Sequence, residues 1–77
     1  MKKTFTATMP NGKAIKRTSK TKEYRYVVLI LDKDGWGYVR WSQTWGAAEK
    51  EMRAWGNRAG ALGITETRII ECREVTK

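Results

Sequence analysis

Histidine is absent from this chain, cysteine occurs once, at Cys72, and proline once, at Pro10. Without histidine the commonest general base is missing, and a zinc site would have to use carboxylates alone. A single cysteine excludes an intramolecular disulfide, and a lone thiol fits a reducing compartment. Cys72 lies in Glu71-Cys72-Arg73 with no histidine to activate it, so an inert, half-buried cysteine is expected. Carboxylates form no spaced pair beyond Glu49 and Glu51, which point to different sides of a helix. Asp32 and Asp34 share a turn but lack the further ligands of a calcium loop. There is no Gly-x-Gly-x-x-Gly and no P-loop pattern. These absences argue against catalysis and against any metal or cofactor.

Long apolar runs are scarce too. No segment approaches the length of a membrane span. The opening Met-Lys-Lys-Thr-Phe-Thr-Ala-Thr has threonines where a signal peptide needs its apolar stretch. A soluble, cytoplasmic protein with no membrane partner is expected. Its 77 residues make one small domain, which buries only about 60 to 65% of its unfolded surface. Four tryptophans must supply much of so thin a core.

Charge is present in excess of one sign. The net is +8, and it is unevenly placed. Residues 1 to 25 carry eight basic residues against Glu23 alone, whereas residues 26 to 77 carry eight basic and seven acidic. Concentrated positive charge attracts polyanions or an acidic protein surface.

The one long apolar run is Tyr24 to Leu31, rich in β-branched and aromatic types. It reads as a strand buried at least partly on both faces. Upstream, Thr4 to Met9 alternates with period two, and Asn11-Gly12 is a strong hairpin signal. A two-residue loop there sets Met9 opposite Ala14 and Thr6 opposite Arg17. Phe5, Ala7, Met9 and Ala14 then share a core face, leaving Thr6, Thr8, Ile15 and Arg17 outward. Downstream, Asp34-Gly35 predicts a second hairpin with Leu31 opposite Tyr38 and Val28 opposite Trp41. That register groups Tyr24, Tyr26, Val28, Ile30, Val39 and Trp41 as the better core face, and Arg25, Val27, Leu29, Leu31, Tyr38 and Arg40 as the other.

Helical periodicity begins after Ser42 or Thr44, either of which can serve as N-cap. Trp45, Ala48, Met52, Trp55 and Ala59 fall within about 80° of arc, a narrow apolar stripe that predicts a core position for Trp45. Gly60, or Gly56-Asn57 a turn earlier, ends the helix. Thr65 to Val75 is a last strand. The predicted fold is α+β, one antiparallel sheet in the chain order β-β-β-β-α-β with one helix packed on one face.

Binding chemistry is better represented than catalytic chemistry. Arg17, Lys20, Lys22, Arg25 and Arg40 form a candidate basic surface for nucleic acid or for an acidic host protein. Trp36, between Gly35 and Gly37, and Tyr38 are candidate aromatic contacts. No aromatic RNP strand, zinc finger or helix-turn-helix accompanies them. Val27, Leu29 and Leu31 face away from the predicted helix and would leave an apolar patch. Strong curling of the sheet, the N-terminal hairpin folding over, or a twofold homodimer could hide it, and the homodimer is the expectation.

The opening Thr-rich strand, Asn11-Gly12, Arg17-Thr18-Ser19, Tyr24-x-Tyr26-Val27-Val28 and a tryptophan-bearing strand running into an Ala/Glu/Arg helix carry a resemblance. Over about residues 4 to 55 the chain resembles small accessory proteins of tailed bacteriophages. Those relatives have no agreed activity, so the resemblance implies context alone: an accessory gene product acting on host machinery in the host cytoplasm.

Overall fold

The computed structural model describes residues 2–75. Strands β1 (Lys3–Thr8), β2 (Ala14–Ser19), β3 (Tyr26–Asp32) and β4 (Gly35–Ser42) are followed by helices α1 (Trp45–Asn57) and α2 (Ala59–Leu62). The chain closes with β5 (Glu66–Glu71) and β6 (Arg73–Glu74). The α+β class and the antiparallel pairing are as predicted. The single sheet is not: two three-stranded sheets form, in the orders β2-β1-β6 and β4-β3-β5.

The division falls within the predicted last strand. β5 pairs with β3, and after Cys72 the chain crosses so that β6 pairs with β1. Arg25 braces this crossing, because its backbone N–H donates to the Ser42 carbonyl at 2.9 Å and its carbonyl accepts from Cys72 N–H at 2.9 Å.

Both hairpin registers differ from expectation, and the turns explain why. In the first, Gly12 N–H donates to the Met9 carbonyl at 2.8 Å and Met9 N–H to the Lys13 carbonyl at 2.9 Å. Gly12 takes a φ of +88°, while no non-glycine residue among those described has positive φ. A type I′ loop would need Asn11 there as well, so the loop is three residues with Gly12 in the left-handed position. Thr8 therefore faces Ala14, Ala7 faces Ile15 and Phe5 faces Arg17. A one-residue slip turns β2 over. Ile15 is buried beside Phe5, Ala7 and Met9, Ala14 is exposed, and Arg17 lies on the inner side rather than the outward one.

In the second hairpin Asp32 pairs with Gly35, which carries the left-handed φ of +107°. Leu29 then faces Tyr38, and a bulge between Val28 and Leu29 leaves Val39 as the extra residue before Arg40 pairs with Val28. Trp41 consequently faces Val27 instead of Val28.

The expected faces are thereby rearranged. Val27, Val28 and Leu29 are each 0% exposed, so β3 is buried on both sides. Val27, Leu29, Trp41 and Tyr24 form one core cluster with Phe5, Ala7, Met9 and Ile15 of the N-terminal hairpin. On the other side Tyr26 meets Trp45 of α1, with ring centroids 5.5 Å apart, and Ala48 is fully buried. The patch proposed for a homodimer at Val27, Leu29 and Leu31 is therefore covered by the hairpin of the same chain, with only Leu31 partly exposed.

Thr44 is the N-cap of α1, its hydroxyl accepting from Ala47 N–H at 3.2 Å, and Ser42 is buried in the sheet instead. Trp45 does not reach the core. As the first helical residue it lies at the end of the sheet, 52% exposed, and its indole N–H donates to Glu49 at 3.1 Å. Gly63, at a φ of +72°, stops α2.

Candidate nucleic-acid interface

Arg17, Lys22, Tyr38 and Arg40 converge on a cleft of about 330 Å³ whose wall also includes Tyr24, Trp41 and Gln43. Three separate features of the chain bring them to it. The slipped register of β2 puts Arg17 opposite Phe5, on the side of the core. From there its guanidinium carbon lies 5.6 Å from the centre of the Tyr24 ring, a distance at which a cation is held by the ring's negative face. The Ser19 hydroxyl accepts from Lys22 N–H at 3.0 Å and Thr21 N–H at 3.4 Å, so the loop after β2 turns back and delivers Lys22. The outer half of β4 brings Tyr38 and Trp41 to the cleft on the face they share with Leu29 and Val27, and Arg40, which pairs with Val28 across the bulge at Val39, lines it as well.

The aromatic rings form a continuous series. Phe5 meets Tyr24 at 5.6 Å, Tyr24 meets Trp41 at 6.0 Å, and Trp41 meets Tyr38 at 6.2 Å, each edge to face. The inner three are buried and fix the outermost. Tyr38 itself is 53% exposed at the cleft. Its ring thus has an edge-to-face contact with Trp41 while about half of the residue stays exposed.

Among the described residues no carboxylate lines the cleft and no ion pair involves Arg17, Lys22 or Arg40. The nearest acidic residue in sequence, Glu23, is engaged elsewhere. Lys3 takes it in an ion pair and also lies 3.8 Å from Glu74. That partner holds the Glu23 carboxyl below its ordinary value through the hydrogen bond and the opposite charge, and Glu23 in turn raises Lys3.

The remaining expected site residues lie apart. Arg25 lines a second hollow of about 350 Å³ that shares only Tyr24 with the first and contains Glu23, Glu71 and Glu74 as well as Arg73. Mixed charge there gives no preference for an anion. Lys20 is exposed in the loop and is not part of the cleft wall. Trp36 is half-buried against the core, with the Arg68 guanidinium carbon 5.0 Å from its ring centre. Cys72 is half-buried at the crossing between sheets, and burial pushes its thiol above the ordinary range. The shift favours the thiol over the thiolate, which is the nucleophilic form.

Tyr24, Trp41 and Gln43 are cleft residues that sequence reasoning did not single out. Tyr24 and Trp41 look like core from their type, and they are core. Their second role depends on the bulge, which has no marker in the sequence.

No helix among the described residues is long and apolar enough to cross a membrane, and none of their acidic and cysteine side chains cluster as a metal site. No protein-family model, curated protein or solved structure matches the chain.

Proposed function

We propose that this chain is a small, basic, non-enzymatic accessory protein that binds nucleic acid through the cleft at Arg17, Lys22 and Arg40. One observation carries the reading: cationic residues from three different segments line one cleft with an exposed tyrosine, and no described carboxylate lines it with them. Cations so placed neutralise phosphates, and the ring offers a surface to a base. The lack of histidine and the raised thiol of Cys72 support a binding role over a catalytic one. The resemblance to phage accessory proteins suits a small gene product that works by occupying something else.

The test is titration with labelled oligonucleotides across a salt series. Each phosphate neutralised on a single strand contributes about −0.7 to the slope of log affinity against log salt, so three cations give about −2. Arg17→Ala combined with Arg40→Ala should flatten that slope to about −0.7, the share of the one remaining cation, and weaken binding at low salt. Absence of binding at about 50 mM salt overturns the reading. A discrete protein retained from nuclease-treated bacterial lysate, in that case, would favour an acidic host surface as the partner.

A further inference from the structure

The cleft also carries information about which form of nucleic acid it takes. We infer that its ligand is a single strand with an unpaired base stacked on Tyr38, its flanking phosphates held by Arg17, Lys22 and Arg40. This inference rests on the nucleic-acid reading above and makes it narrower.

A duplex keeps the faces of its bases inside the stack, so an exposed aromatic ring has nothing to lie against. An unpaired base presents its face freely, and stacking on a ring is tolerant of sequence because every base has one. Tyr38 meets the structural requirement on both sides. Its contact with Trp41, at 6.2 Å and an interplanar angle of 68°, fixes the ring, while 53% of the residue remains exposed to receive a base. The cations are placed for a strand as well. They line a concave cleft next to the ring instead of spreading over a broad face, so they meet the phosphates of the nucleotide that stacks. Arg17, though exposed, places its guanidinium carbon 5.6 Å from the centre of the Tyr24 ring, a contact that favours this side-chain position before a strand binds. Gln43 adds a neutral amide on the same wall, able to donate to and accept from a base edge.

Among the described residues the long helix does not offer the counterpart for a duplex. A groove reader presents a helix or strand pair with basic residues directed at the major groove. Helix α1 carries Glu49, Lys50, Glu51 and Arg53, and its acids are internally committed. Arg53 donates to Glu49 at 3.0 Å, and the Trp55 indole donates to Glu51 at 3.1 Å. A nearly neutral helix of this kind has little attraction for two phosphate rails.

The experiment compares three probes on the whole chain: a short oligothymidine, a duplex of the same length, and inorganic polyphosphate. The oligothymidine should bind more tightly than either of the others. Tyr38→Ala should weaken its binding by about 5- to 160-fold, the range for losing one base–aromatic stack, and leave polyphosphate binding unchanged. Tyr38→Phe keeps the ring and should retain the affinity, which separates stacking from any effect on folding. Equal or tighter binding of the duplex, or an oligothymidine affinity indifferent to Tyr38→Ala, overturns the single-strand inference while nucleic-acid binding itself stands. Failure of both oligonucleotides to bind removes the underlying reading with it.

Discussion

Glu23 lines the other hollow, and its charge is matched by Lys3 and not by the cations of the cleft. It directly follows Lys22 in the chain, and a free carboxylate there would lie beside the cations. Lys3 removes it from contention by pairing with it, and Lys3 is also 3.8 Å from Glu74, so one ammonium serves the loop after β2 and the last strand together. The carboxyl of Glu23 sits below its ordinary value because of that hydrogen bond and charge. A depressed carboxyl stabilises the fold above the ordinary glutamate range and loses that contribution as pH falls through the lowered value. Both side chains are well exposed, so solvent screens the pair and the effect on stability is small. The titration itself is the sharper measurement. In Lys3→Ala the Glu23 carboxyl should titrate higher than in the parent, back within the ordinary range, when followed by side-chain carbon NMR. An unchanged titration would mean that Lys3 does not hold Glu23 in solution.

At the scale of elements, identity was easier to read than alignment. The strands, the helix and their order follow from period-two alternation, one apolar run and one apolar stripe. Registers failed at both glycine turns for the same reason. Asn11-Gly12 and Asp34-Gly35 each look like the central pair of a two-residue loop, yet in both the glycine follows the turn and takes the left-handed φ itself. Dipeptide type does not distinguish the two geometries, since both demand a glycine at positive φ. The break at Cys72 has no glycine or proline to mark it, so one long strand is the natural reading of Thr65 to Val75. The cleft was legible in part. Arg17, Lys22, Tyr38 and Arg40 are visible as cations and an aromatic, but their convergence depends on the slipped β2 and the Val39 bulge. The N-terminus of α1 offers a test at this scale. No acidic residue lies in its first turn, so the Thr44 hydroxyl on Ala47 N–H is its side-chain cap. Thr44→Ala should cost about 1 kcal/mol, read as a lower urea midpoint at unchanged slope, and Thr44→Ser should recover most of it. A midpoint unmoved by Thr44→Ala would show that the helix start is held by packing alone.

For the molecule as a whole, the question is what covers the second face of β3. A single helix cannot wrap both sides of a sheet, and this chain resolves the problem by folding its own first hairpin over. Phe5, Ala7, Met9 and Ile15 meet Val27, Leu29 and Trp41, and the crossing at Cys72 joins the two sheets so that the cover stays in place. Burial within one chain and burial between two chains make opposite predictions for one substitution. Were Leu29 at a twofold interface, Leu29→Lys would separate the partners and leave each folded. In the observed arrangement Leu29 is 0% exposed inside the protomer, enclosed by both sheets. A lysine there must bury an unpaired ammonium or open the core, and either costs several kcal/mol. A domain of this size has only about 5 kcal/mol to lose, at the low end for globular proteins. Leu29→Lys should therefore be unfolded, with lost near-ultraviolet circular dichroism and no cooperative urea transition. Leu29→Ala, which removes volume without adding charge, should remain folded but less stable by about 2 to 5 kcal/mol or sit close to its unfolding midpoint. A folded, monomeric Leu29→Lys protein, obtained from a parent that light scattering finds dimeric, would return this face to an interface and require the hairpin to lie elsewhere.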